Sequence, residues 1–263
     1  MFAIGERING MFKNVRNAIQ SKNKDAIHDV ARKQLEAGAD ALDINVGPTK
    51  GKAVDNMLWL VETVQEVTDK PLCIDTPKFD VMQEALKACK NPRIINSTKA
   101  TEEDLEKYVA LAADTGSRLI ALTIDASGVP ADVDGRVMMG ATIVTKAMEG
   151  GLDIPDVFID PVILPVNVAP KIPQNVMEAI RQLKLISDPP PKFVIGLSNV
   201  SQSCRETHLI NRIYLAMALA AGLDGAIVDV TDRELMEAAI TAELLMEKQI
   251  YCDDYVAAYM RSK

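Results

Sequence analysis

Short runs dense in Ile, Val, Leu and Ala alternate along the chain with longer stretches whose apolar residues recur at helical spacing. The short runs cover 2–8, 41–47, 71–76, 93–99, 118–124, 157–163, 193–199 and 225–230. They show little polar alternation, which is the pattern of strands covered on both faces, as in a parallel sheet. The longer stretches predict helices near 24–37, 54–68, 78–89, 102–115, 134–150, 173–187, 206–221 and 232–247, with a further helix over 253–261. Gly38, Gly116, Gly151 and Gly222 each stand after a helical stretch and before an apolar run, where a left-handed residue ends a helix. Thr101 followed by Glu102, Glu103 and Asp104 supplies a cap and first-turn acids for the helix near 102. Eight repeats of strand then helix fit an α/β protein built as a (β/α)8 TIM barrel. One such barrel takes about 250 residues, so a single domain over 1–263 is expected, and no composition shift divides the chain. An open doubly wound sheet also alternates, but it carries a glycine-rich phosphate turn, and neither G-x-G-x-x-G nor a P-loop occurs.

The ends of the apolar runs carry the chemistry. They close on Glu6 and Asn9, Asp43 and Asn45, Asp75, Asn96, Thr123 and Asp125, Asp160, Ser198 and Asn199, and Asp229. In a barrel those ends meet at one face, where the fold builds its sites. Asp75, Asn96 and Asp160 are the sharpest, because each ends an otherwise apolar strand and must find hydrogen bonds or water there. As a set they accept from ring N–H and amino groups, with the Asn96 amide adding a donor, which points to a polar heterocycle. Glu6 either lines that pocket or holds its loop down by pairing with Arg7 or another base. Asp43 and Asn45 lie two residues apart on one side of their strand, and one of them should face inward. Gly196 permits close backbone approach, and Ser198 and Asn199 offer short uncharged polar groups. Val200 stands where a G-x-S-x-G nucleophile elbow needs its second glycine, so that reading is excluded. The loops 47–53, with Lys50 and Lys52, and 164–173 leave strand ends and should rim the site.

Charge and cysteine usage narrow the classes further. A net charge of −8 with scattered Lys and Arg argues against a nucleic-acid partner. The longest apolar stretches, such as 213–223, are too short to span a bilayer, and Glu6 and Arg7 interrupt the region a signal peptide would keep apolar. A cytoplasmic protein without membrane contact is expected. Cys73, Cys89, Cys204 and Cys252 form no C-x-x-C pair and only two histidines accompany them, so no bound metal is expected and the thiols read as small buried hydrophobes.

The segments GERING at 5–10, LDINVGP at 42–48, ID at 74–75, INST at 95–98, IDPVILP at 159–165 and GLSNVSQ at 196–202 together resemble the pterin-binding methyltransferases that use methyltetrahydrofolate and a corrinoid protein. The likeness covers nearly the whole chain. It is greatest to the methyltetrahydrofolate:corrinoid/iron–sulfur protein methyltransferases and to the methyltransferase components of O-demethylase systems. The resemblance implies tetrahydrofolate or 5-methyltetrahydrofolate as substrate, with Asp75, Asn96 and Asp160 on the pterin edge and Gly196 and Ser198 as further contacts. It places Asn199 against N5, the nitrogen bearing the methyl group, and makes Asn199, Asp75 and Asp160 the catalytic set, with Glu6 and Asp43 completing the pocket. The corrinoid (cobalamin) is expected on a separate protein, a corrinoid/iron–sulfur protein or an O-demethylase corrinoid protein, because the chain lacks the D-x-H-x-x-G signature of a carrier. A homodimer is likewise implied. The chain departs from the close relatives after 202, where Arg205 comes earlier than their arginine and Thr207 and His208 replace the local pattern. The alternatives are a dihydropteroate synthase-like enzyme, whose usual Arg-x-His is absent from 228–233, and a non-catalytic folate-binding barrel.

Overall fold

A computed structural model describes residues 1–48 and 52–248 together with 256, 257 and 260. Its strands are β1 (Phe2–Asn9), β2 (Ala41–Asn45), β3 (Leu72–Asp75), β4 (Arg93–Lys99), β5 (Arg118–Leu122), β6 (Val157–Asp160), β7 (Lys192–Gly196) and β8 (Gly225–Val228). They pair in parallel and in sequence order, and β1 closes on β8 through Phe2 opposite Gly225 and Gly5 opposite Val228. The TIM barrel read from the apolar runs is therefore the observed fold.

Strand geometry explains why the runs looked apolar throughout. One set of alternate residues, Ile4, Ala41, Cys73, Ile94, Ile120, Phe158 and Val194, packs into a cluster inside the barrel. Their neighbours, among them Leu42, Leu72, Ile95, Leu119, Phe193 and Ala226, join a larger cluster with the helices outside. Both faces are thus removed from water, each fully buried Leu or Ile contributing roughly 1.5–3 kcal/mol of burial. Two residues further along β1, β2, β3, β4 and β6, the inward position becomes polar at Glu6, Asp43 and then Asn45, Asp75, Asn96 and Asp160. The barrel is apolar at its middle and polar at one mouth.

The outer layer comprises α2 (Lys24–Glu36), α3 (Ala53–Gln65), α4 (Phe79–Ala88), α5 (Glu102–Thr115), α6 (Val133–Glu149), α7 (Ile172–Leu183), α8 (Thr207–Ala220) and α9 (Arg233–Leu245). Thr101 caps α5 by accepting from the Asp104 N–H at 3.2 Å. Gly116, φ 61°, closes that helix in the left-handed region. Three features differ from the sequence reading. An additional helix, α1 (Lys13–Ser21), follows β1; its buried Val15, Ala18 and Ile19 carry helical spacing too short to stand out. The predicted strands 118–124, 157–163 and 193–199 stop earlier, at Leu122, Asp160 and Gly196. The helix expected over 173–187 ends at Leu183. The helix expected over 253–261 and Cys252 lie largely outside the described residues, apart from helical positions at 256, 257 and 260. Among the described residues no helix is long and apolar enough to cross a membrane.

Candidate functional site

The register sets the floor of the mouth. Asp75 lies opposite Asn96 on adjacent strands, and Asp160 lies opposite Leu122. Asn96 donates its side-chain amide to Asp43 Oδ1 at 2.9 Å, and Asn45 donates to Asp75 Oδ2 at 2.6 Å. Asp43 and Asn45 therefore both face inward, as a period of two requires. Asp43 is only 2% exposed and lies against Asn96, so it orients that amide and has little free surface of its own. The Asn96 amide gives one N–H to Asp43, so that bond fixes its orientation while its carbonyl oxygen and second N–H remain for other partners.

Burial raises the pKa of this whole acidic group. Asp43 is pushed well above the usual carboxylate range, first by burial and then by the charge of Asp75, while the Asn96 hydrogen bond works against the shift. Asp75 is raised by burial, with the Asn45 hydrogen bond opposing. Each carboxylate disfavours ionisation of the other, and the upward shift is the greater at the more buried Asp43. Cys73 sits beneath them, its thiol pushed up by burial and by both aspartates, which leaves it an inert part of the barrel interior.

On the far side, Asp160 Oδ1 accepts from the Val162 N–H at 2.8 Å. Burial pushes Asp160 up to about 7, against the lowering effect of backbone hydrogen bonds from Val162 and Gly196. Val162 takes φ 58°, a left-handed conformation that is a rare one for a β-branched residue. The turn is held by Arg136, which is fully buried, donates Nε to the Pro161 carbonyl at 2.9 Å and Nη1 to the Asp132 carbonyl at 2.9 Å, and also binds the Pro130 carbonyl. Arg136 was not legible as functional in the sequence; its one signal is a charge on the otherwise apolar buried face of α6. Tyr214, on α8, is also near Asp160: burial and that charge raise its pKa.

Ser198 and Asn199 are not strand residues. They sit on a 3-10 turn, Leu197–Ser201, directly after β7. Ser198 Oγ donates to both oxygens of Glu6, at 2.9 and 3.0 Å, which ties the ends of β1 and β7 together across β8. Glu6 is raised to about 6, chiefly by burial, with the Ser198 hydrogen bond opposing. Arg7 pairs with Asp229 at 3.6 Å, so Glu6 takes a serine hydroxyl and not a base as its hydrogen-bonding partner. The Asn199 amide lies over Gly196: a Cβ added at Gly196 would stand 3.0 Å from its Nδ2, so a side chain there would crowd it.

Asp75, Asn96, Lys99, Asp104, Tyr108 and Leu122 are among the lining of a cavity of about 290 Å³ at the β3 to β5 side of the mouth. That volume is near the lower end of the range of roughly 300–1,000 Å³ common for small-molecule pockets. Thr123 and Asp125 do not join the site. Thr123 is fully buried with its hydroxyl unpartnered among the described residues, and Asp125 is held in a turn by the Ser127 N–H at 2.7 Å. His208 is an exposed residue of the first turn of α8, bonded to Asp232 at 2.8 Å. Lys50 lies outside the described residues. Among the described residues no three His, Cys, Asp or Glu side chains are grouped to hold a metal ion.

A closed parallel barrel with a mouth of convergent carboxylates and amides is the architecture of a small-molecule enzyme. Residues 6–242 match the pterin-binding enzyme family, and the chain belongs to that family. It is 29% identical to a methylcorrinoid:tetrahydrofolate methyltransferase of Eubacterium limosum, with 100% of this chain and 97% of that protein aligned. It is 27% identical to methionine synthase of Mycobacterium leprae over 86% of this chain but 20% of that much longer protein. These matches bear out the resemblance read from the motifs. Among solved structures, a dihydropteroate synthase of Yersinia pestis in a sulfonamide complex superposes with a TM-score of 0.71 at 17% identity, covering 94% of each chain. The dihydropteroate synthase of Thermus thermophilus gives 0.66 at 20% identity over 95% of this chain and 94% of that one. At such identities the likeness is one of fold.

Proposed function

We propose that this protein transfers a methyl group between N5 of tetrahydrofolate and the cobalt of a corrinoid carried by a separate protein. The observation that carries the reading is the arrangement of polar groups at the mouth: Asp75 and Asn96 on adjacent strands, Asp160 across from them as an acceptor, and the Asn199 amide on the turn above Gly196 as a donor. The full-length relative that acts on methylcorrinoid and tetrahydrofolate supports it.

The corrinoid is a co-substrate, and its cobalt exchanges the methyl group with N5 by displacement at the methyl carbon. The chain's own residues do the rest. Asp160 accepts from the N3–H and 2-amino group of the pterin, and Asp75 and Asn96 take the remaining ring donors. An amine nitrogen leaves poorly unless its lone pair is met by a proton or a hydrogen bond as it develops. The uncharged Asn199 amide can donate there, which an ionised carboxylate could not do. The partner presents its cobalt across the rim made by the turn after β7 and the loops leaving β2 and β6, in acetogenic one-carbon metabolism or in O-demethylation. Mixing the protein with methyltetrahydrofolate and cob(I)alamin tests the proposal by the spectral change of cobalamin methylation. Folate binding with no transfer to free or protein-bound corrinoid would instead make this a folate-binding barrel, and synthesis of dihydropteroate would make it a synthase.

A further inference from the structure

A second cavity, of about 450 Å³, opens beside the mouth between α1, the end of β2 and the start of α3. Arg16, Lys22 and Lys52 line it together with Gln20 and Asn56, and among the described residues no carboxylate does. Three cations around one hollow stand out in a chain whose net charge is −8. Lys22 is built into place. It caps α1 with φ 54°, a left-handed position that glycine or asparagine would fill at less cost. Its ammonium donates to Asn56 Oδ1 at 2.9 Å and lies 4.8 Å over the Trp59 ring. Burial lowers its pKa, Asp55 opposes, and the charge of Lys52 adds a smaller lowering. Arg16 reaches the carbonyls of Gly10 and Met11 only loosely, at 3.4 Å each. Cations crowded in this way are stabilised by a bound anion.

Topology says which anion arrives. In the closed barrel β2 is four strands from β6, hence diametrically opposite. If Asp160 on β6 holds the pyrimidine edge of the pterin, the opposite edge faces β2, and that edge bears the p-aminobenzoyl-glutamate tail. Val46 lines the cavity and directly follows Asn45, which bonds Asp75, so the cavity lies at the β2 end of the mouth. We infer that this cavity is a carboxylate subsite for the γ-linked glutamyl tail of the folate, selecting polyglutamates over the monoglutamate. The inference rests on the folate reading above.

Calorimetric titration with tetrahydrofolate monoglutamate and triglutamate tests it. The triglutamate is expected to bind about tenfold tighter, an advantage that fades with added salt. Lys22→Gln combined with Lys52→Gln should abolish most of that ratio, and the pair of arginine replacements should restore it; thermal melts check that each variant is folded. Equal affinity for the two folates in the wild-type protein overturns the subsite while leaving the folate reading intact, whereas binding of neither overturns that reading. A ratio unchanged in the glutamine variant, with transfer to a corrinoid protein alone impaired, overturns the subsite in favour of partner docking.

Discussion

Asn96 donates its side-chain amide to Oδ1 of the buried Asp43 at 2.9 Å, from one strand to another two places away in the barrel. The bond decides which end of the amide a ligand meets. With one N–H committed to Asp43, the amide is held in a single orientation, which fixes how its oxygen and its second N–H face the mouth. Asp43→Ala should therefore weaken pterin binding by about tenfold, because the freed amide loses that orientation. Asp43→Asn, which keeps an acceptor oxygen, should bind nearly as the parent does. Calorimetric titration of both variants decides the point; equal losses would mean that charge at 43, and not the orientation of Asn96, is what matters.

Folate affinity should depend on pH through Asp160. The free carboxyl lies at about 7, and binding to N3–H and the 2-amino group requires it ionised. Affinity should be full above about pH 8 and fall as pH drops through 7, approaching about tenfold per unit below that. A binding profile flat from about pH 6 to about pH 8 would remove Asp160 from the pterin edge.

The same group predicts a trade of stability for function. Its folded pKa of about 7 stands above the ordinary 3.8, so the stability it contributes in protonated form is present below the ordinary value and lost as pH rises through the folded one. Asp160→Asn removes that loss while keeping an oxygen for the Val162 N–H. The unliganded variant should melt several degrees above the parent at about pH 8, the difference shrinking toward about pH 4, and its folate affinity should fall by about tenfold or more. Calorimetric melts at the two pH values check the sign.

Asn199 should matter more to the transition state than to the ground state. Asn199→Ala is expected to slow single-turnover methyl transfer to cob(I)alamin by about a hundredfold at saturating folate while changing folate affinity only a few-fold. Gly196→Ala should do part of the same, since its methyl group would stand 3.0 Å from the Asn199 amide nitrogen. A normal transfer rate in the first variant would reduce the asparagine to a positioning contact.

Arg136 ties Pro130, Asp132 and Pro161 together from inside, with Nη2 unpartnered among the described residues. Arg136→Met should cost roughly 2–4 kcal/mol, because three carbonyls lose a charged donor in a dry site. Denaturant unfolding measures this. Folate affinity should fall as well, since Pro161 lies between Asp160 and Val162; unchanged affinity in a destabilised variant would show that the turn at Val162 holds Asp160 by itself.

The sequence by itself determined the architecture. Eight continuous apolar runs separated by amphipathic stretches, with Gly38, Gly116, Gly151 and Gly222 at the junctions, admit few arrangements in which both faces of every strand are buried. It also placed Asp75, Asn96 and Asp160 at one mouth, because period two and a closed parallel barrel bring strand ends together whatever the loops do. Strand ends and α1 were harder to read, since Ser198 and Asn199 continue an extended-looking run and only three apolar residues mark α1. Only the tertiary structure decided who bonds whom. Glu6 meeting Ser198, Asn96 meeting Asp43, and Arg136 on α6 reaching the turn after β6 join residues far apart in the chain. Such pairings depend on register, rotamer and the removal of water, which no local pattern of polar and apolar residues encodes.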